Sequence, residues 1–110
     1  MLVLFPAALF AQTGTTVVGT VLDENSSPME GVTIEALNLS DSALVASTLT
    51  SKEGVFRFSN LEGNRSYHFR FSHIGYEDHV LSGFQVKAGE NNTILVRMKN
   101  AESSSLDDVI

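Results

Sequence analysis

The sequence predicts an all-β fold, a seven-stranded antiparallel β-sandwich. Between Thr16 and Met98, apolar residues alternate with polar ones in short runs, the pattern of strands with one buried face. Residues that favour turns interrupt these runs about every 8–12 positions. No stretch repeats apolar residues with the roughly 3.6-residue period of a helix. Because each short strand offers one apolar face, two sheets packed against each other would bury all of them.

The first three predicted strands are rich in valine, isoleucine, threonine and other residues that favour extended structure. They are expected at Thr16–Leu22, Val32–Asn38 and Leu44–Thr50. Val17 and Val21 share one face of the first strand, and Val32, Ile34 and Ala36 share one face of the second. Clusters of Asp, Asn, Ser and Pro between the strands predict turns.

The last four predicted strands carry most of the aromatic residues. They are expected at Val55–Ser59, Ser66–His73, Asp78–Val86 and Asn92–Met98. The segment Ser51–Gly54 predicts a tight turn in which the glycine adopts a positive φ. Four phenylalanines occupy alternate positions and are predicted to form the core: Phe56, Phe58, Phe69 and Phe71.

Composition excludes several classes of function. The net charge is −6 and only seven residues are Lys or Arg, so the chain lacks the basic cluster that nucleic acids or anionic lipid surfaces require. The absence of cysteine excludes disulfides, thiolate-ligated zinc and a cysteine nucleophile.

The first twelve residues are expected to be a signal peptide. An apolar run ends at Ala11, is too short to span a bilayer, and predicts cleavage between Ala11 and Gln12 and export of the protein. The run departs from the usual pattern because no basic residue precedes it and Leu9 stands where a small residue is usual. The alternative is a first strand or a buried arm. The predicted organisation is therefore 1–12 signal peptide, 16–98 sandwich, 99–105 linker and 106–110 terminal segment.

The sequence predicts no catalytic, cofactor or metal site. By alternation His68 faces away from His73, so these two side chains cannot share a metal, and His79 lies beyond a turn that contains glycine. The carboxylates are dispersed over turns instead of converging as a pair, and no Gly-x-Ser-x-Gly motif occurs. We therefore expect a protein that is not an enzyme.

Four fragments, in this order and spacing, resemble the carboxypeptidase regulatory-like domain over about residues 16–98. They are Val18–Val21 with Asp23, Pro28–Ile34, Thr50–Phe58 and Phe71–Glu77. The resemblance implies a transthyretin-like or immunoglobulin-like Greek key with no peptidase residues. It also implies structural roles for Gly54, Phe56, Ile74, Gly75 and Tyr76. Among these, Gly75 would allow a sharp turn, and Tyr76 would pack its ring with the hydroxyl near the backbone.

A serine-rich linker leads from the predicted sandwich to a short apolar and acidic segment. The segment consists of Leu106, Asp107, Asp108, Val109 and Ile110. A flexible tether that ends in a strand-forming segment suits capture by the sheet edge of another protein. On residue types alone, the alternative is a frayed chain terminus. The segment resembles the opening of the TonB-box-like segment that follows such a domain in SusC/RagA-type outer-membrane receptors of Bacteroidetes. The valines and Gly-Tyr-Gly that usually follow are not in the sequence, so we expect the N-terminal part of a longer receptor.

This resemblance implies an accessory domain on the periplasmic side of the outer membrane, in a TonB-dependent importer of glycans or peptides. The implied partners are the C-terminal domain of TonB, by strand addition at residues 106–110, and a SusD-like lipoprotein through the full receptor. The membrane would be met only through a barrel, and the isolated domain is expected to be a monomer. Two alternatives stay open: a carbohydrate- or protein-binding sandwich, and a structural appendage of an outer-membrane barrel that does not use TonB.

Overall fold

The computed structural model describes residues 14–101, which form seven strands. They are β1 Thr15–Leu22, β2 Thr33–Asn38, β3 Leu44–Leu49, β4 Val55–Leu61, β5 Arg65–Ser72, β6 His79–Val86 and β7 Asn92–Arg97. Every strand predicted from the alternation is present, and the bounds differ by one or two residues at most. The predicted signal peptide and the segment Leu106–Ile110 lie outside the described residues.

The strands form two sheets that pack face to face. One has the order β4-β1-β7 and the other the order β3-β2-β5-β6. The antiparallel arrangement predicted from the sequence holds for every described ladder except β1 with β7, which are parallel from Val17 opposite Asn92 to Leu22 opposite Arg97. Alternation of apolar residues sets which face a strand buries but not its direction, and no short hairpin links the first and last strands.

The core lies between the sheets and is aromatic at its centre. Phe56 lies 5.6 Å from Phe71, and Phe58 lies 5.7 Å from Phe69, measured between ring centroids. The four phenylalanines predicted as core are all buried. Gly19 makes room for Phe56, because a Cβ at this position would lie 2.3 Å from the Phe56 ring. The first strand therefore needs a glycine at an inward position that a larger residue would otherwise fill.

Each sheet leaves two strands at its edges, β3 and β6 in the larger sheet and β4 and β7 in the smaller. These edges present backbone groups that no neighbouring strand of the same sheet pairs. Within residues 14–101, no helix has the length and apolar character needed to cross a membrane.

Candidate functional site at the chain exit

The predicted turn around Gly75 forms one half of a corner through which the chain leaves the sandwich. We name this feature the exit corner and define it as residues 73–77 together with 98–101. Gly75 has a φ of 87°, and the Tyr76 N–H donates to the His73 carbonyl at 3.0 Å. A positive φ suits glycine because a Cβ would be strained there, which explains the residue type that the sequence predicted for a sharp turn.

The chain that follows β7 forms the other half of the exit corner. The Ala101 N–H donates to the Gly75 carbonyl at 2.9 Å, and the Glu77 N–H donates to the Lys99 carbonyl at 2.8 Å. An isolated antiparallel bridge joins Tyr76 to Asn100. These bonds extend the sandwich by four residues past the end of β7, so a segment beyond Ala101 starts from a fixed point on the folded domain.

The side chains of the exit corner differ in exposure. Tyr76 is half-buried, packs against the core, and has its ring centroid 5.5 Å from that of His73 in an edge-on arrangement. The resemblance placed Ile74 among the structural residues, but its side chain is 93% exposed. The backbone carbonyl oxygen of Ile74 lies 2.9 Å from His73 Nδ1. An open depression of about 480 Å³ lies beside it, lined by Gly31, Thr33, Ser72, His73, Ile74 and Asp78.

The other two predicted motif residues act at the start of β4. Gly54 has a φ of 77°, and its carbonyl accepts the Val21 N–H at 2.8 Å. A Cβ at this position would lie 2.7 Å from the Val21 carbonyl oxygen, so glycine is required both by conformation and by space. Phe56, two residues later, is 1% exposed and belongs to the core. Both residues therefore serve the fold.

The histidines of the described residues have separate local partners. His68 Nδ1 lies 2.9 Å from Ser82 Oγ, whereas the His79 ring packs 5.8 Å from that of Phe71. Among residues 14–101 no cluster of three or more His, Cys, Asp or Glu side chains could hold a metal ion. The Arg70 guanidinium lies between two carboxylates, 3.4 Å from Glu35 and 3.9 Å from Asp78.

Two exposed groups among residues 14–101 have a shifted pKa. The Ala43 N–H donates to the Asp41 carboxylate at 3.0 Å and holds the pKa of that carboxyl below its ordinary value. The hydrogen bond that the Arg65 guanidinium donates to Glu62, at 2.6 Å, raises the pKa of Arg65. Both are local surface interactions and neither marks a reactive centre.

Sequence analysis missed three polar residues that hold loops to the sandwich. The Thr50 hydroxyl donates to the Met29 carbonyl at 2.6 Å and accepts the Val32 N–H at 2.9 Å. The buried Asn92 side chain bonds both the backbone before β7 and the Thr16 carbonyl, and the Tyr67 hydroxyl bonds the backbone of Glu62. A polar group at an inward position of an alternating strand is the signal that could have identified Asn92.

Residues 16–99 match the carboxypeptidase regulatory-like domain, over nearly the whole of the described sandwich. The chain belongs to this family. The family is a regulatory-like fold and not a catalytic one, in agreement with the absence of peptidase residues from the matching fragments. Among curated protein sequences, none matches the chain at a significant level.

Solved structures share the fold of this regulatory-like domain at low sequence identity. One is a type II cohesin–X-dockerin complex from Acetivibrio cellulolyticus, with a TM-score of 0.63 and 18% identity over 79% of this chain and 58% of that chain. A streptococcal ancillary pilin has a TM-score of 0.57 and 18% identity over 80% of this chain and 33% of its own. Catechol 1,2-dioxygenase from Pseudomonas arvilla has a TM-score of 0.58 and 12% identity over 78% and 52%.

This chain spans from 33% to 58% of the length of these three proteins. At such identities the similarity concerns the sandwich alone, and the dioxygenase activity is not carried over.

Proposed function

We propose that this domain is a non-enzymatic accessory module on the periplasmic side of the outer membrane, in a TonB-dependent importer of glycans or peptides of the SusC/RagA type. Leu106–Ile110 is its energy-coupling segment. The observation that carries this proposal is the order along the chain. A regulatory-like domain ends at residue 99, its last described bond is made by Ala101, and the strand-forming segment begins five residues later.

The composition of the segment fits capture by the C-terminal domain of TonB through strand addition. Val109 and Ile110 favour extended structure, and Asp107 and Asp108 favour solubility of an unpaired strand. A short strand added to a sheet edge forms several backbone hydrogen bonds that are loaded together when the partner pulls. A SusD-like lipoprotein would join the importer through the rest of the receptor and not through this domain.

The hydrogen bonds of the exit corner support separate roles for the sandwich, as a fixed base, and for residues 106–110, as the segment that binds the partner. Because Lys99 is bonded to Glu77 and Ala101 to Gly75, the first part of the predicted linker is held at a fixed place on the domain surface. The described aromatic rings also fit an accessory role better than a glycan-binding one. The five phenylalanines and two tyrosines of residues 14–101 are buried or half-buried, so these rings serve the core instead of a sugar-stacking surface.

The proposal is tested by Val109→Pro in the full-length receptor. Proline removes a ladder donor and fixes φ, so we expect import to fall while the protein level and substrate binding stay near those of the unaltered receptor. Ser104→Pro in the linker is the matched control and should leave import unchanged. Normal import by Val109→Pro and by a deletion of residues 106–110 would overturn the energy-coupling role.

A further inference from the structure

The edge strand β3 is unusual among the four edge strands of residues 14–101. Its sequence, Leu44-Val45-Ala46-Ser47-Thr48-Leu49, contains no charged residue, no glycine and no proline. Each of the other three edges carries an ionisable side chain: Arg57 on β4, His79 on β6 and Arg97 on β7. Charges, β-bulges and prolines are the devices that prevent edge strands from pairing with another chain. The β3 strand has no charge and no proline. Its one irregularity is the register shift against β2 at Val45, and Ala46–Leu49 keep a regular register.

The β3 strand carries three exposed large apolar side chains, whereas each of the other three edge strands carries one. Leu44 is 59% exposed, Val45 43% and Leu49 61%, and Leu39 in the preceding turn is also exposed. Ala46 and Thr48 point towards the core and are half-buried, whereas Ser47 and Leu49 point outwards. The strand therefore combines an unpaired backbone edge with an apolar outer surface.

We propose that β3 pairs with β3 of a second copy of this chain, antiparallel and about a two-fold axis that passes through Ser47. The axis is perpendicular to the sheet, so the core-facing sides of the two sheets stay on the same side of the joined sheet. In such an antiparallel pair, one residue of β3 lies opposite the same residue of the other copy. With Ser47 on the axis, Val45 of each copy lies opposite Leu49 of the other. The two four-stranded sheets become one continuous sheet of eight strands.

A second copy fits this edge because the strand is neutral. A charged residue on the two-fold axis would face its own copy, and like charges directly opposed destabilise a strand pair. No residue of β3 is charged, so this repulsion does not arise within the strand. On the adjacent strand β2, the Glu35 carboxylate next to Ser47 is already paired with Arg70 at 3.4 Å. The axis at Ser47 also pairs exposed apolar side chains with each other, whereas an axis at Ala46 would set Val45 against Ser47.

The proposed dimer is independent of the energy-coupling role of residues 106–110 and differs from the monomer expected from the sequence. Each copy carries a net charge of −6, so the two repel each other at long range. Raising the ionic strength from about 0.05 M to about 0.5 M shortens the screening length and should strengthen association. A dimer held by surface ion pairs would instead dissociate more readily as the ionic strength rises.

The experiment is sedimentation equilibrium of the chain from Gln12 to Ile110, which omits the apolar N-terminal run. We expect a monomer–dimer equilibrium. Ser47→Lys and Ser47→Glu should each weaken it by at least about tenfold, because they place identical charges face to face. An equimolar mixture of the two variants should restore association as a heterodimer. Ser59→Lys, at an exposed position of the edge strand β4, is the matched control and should dimerise like the unaltered chain.

Ser47→Glu lies beside Glu35, so circular dichroism and a thermal melt of each variant establish that the fold is retained. The proposal would be overturned if the unaltered chain stayed monomeric at every protein concentration measured. Variants that dimerise as well as the unaltered chain, or a charge-reversed mixture that fails to associate while both variants are folded, would also overturn it.

Discussion

Replacement of Thr50 by valine tests how the loop between β1 and β2 is held to the sandwich. The Thr50 hydroxyl donates to the Met29 carbonyl at 2.6 Å and accepts the Val32 N–H at 2.9 Å. Thr50 is 5% exposed and both of these hydrogen bonds are buried. Valine has nearly the same shape as threonine but neither donates nor accepts, so the substitution leaves one buried N–H and one buried C=O without this partner.

The magnitude follows from those two groups. A buried polar group that loses its partner costs about 1–3 kcal/mol, and the extra apolar methyl of valine offsets part of the sum. We expect the free energy of unfolding to fall by about 2–3 kcal/mol. In a domain of this size, each 1 kcal/mol lowers the melting temperature by about 4–8 °C.

Thermal and urea unfolding, followed by circular dichroism, measure the loss. Thr50→Ser is the matched control, because serine keeps the hydroxyl and gives up only a methyl group; its loss should be about 1 kcal/mol. If Thr50→Val is as stable as the unaltered protein, or if Thr50→Ser is the less stable of the two variants, the hydroxyl is not what holds this loop.

Two further predictions concern the core and the start of β4. Phe69→Ala removes a fully buried ring that contacts Phe58 and should cost about 3–5 kcal/mol, whereas Leu95→Ala, at a position 66% exposed, should change stability by about 0.5 kcal/mol or less in the same urea titration. Gly54→Ala should lower the melting temperature more than Gly89→Ala, since both residues have positive φ but only at Gly54 would the new Cβ meet backbone, at 2.7 Å; equal losses would show that φ strain alone matters.

The fold was predictable from the sequence to the extent that alternation encodes it. Each strand buries one face, so the period-2 pattern located all seven strands, and the four phenylalanines were correctly assigned to the core. The parallel pairing of β1 with β7 was not predictable, because the pattern is the same in either direction. Gly19 was noticed in β1, but the closeness of the Phe56 ring appears only when the two sheets are packed.

The candidate site was predictable only in part. The positive φ of Gly75 and the packing of Tyr76 follow from residue types that suit a turn beside a core. The hydrogen bond from Ala101 to Gly75 joins segments that are far apart in sequence, and no local pattern specifies it. The role of Leu106–Ile110 stays a prediction, since these residues lie outside the described part of the chain.

The sequence by itself determined the number of strands, their inward faces, the turn glycines and the family of the domain. Each of these depends on local conformational preference or on the order of short motifs, which a single chain carries in full. The tertiary structure decided which strands are neighbours and therefore which lie at the edges. It leaves the neutral strand β3, with its exposed apolar side chains, at an edge of the larger sheet. It also places the chain beyond β7 beside Gly75. Both features depend on contacts between segments that are distant in sequence. Such segments come together only because the packing of the whole core offsets the entropy lost in joining them.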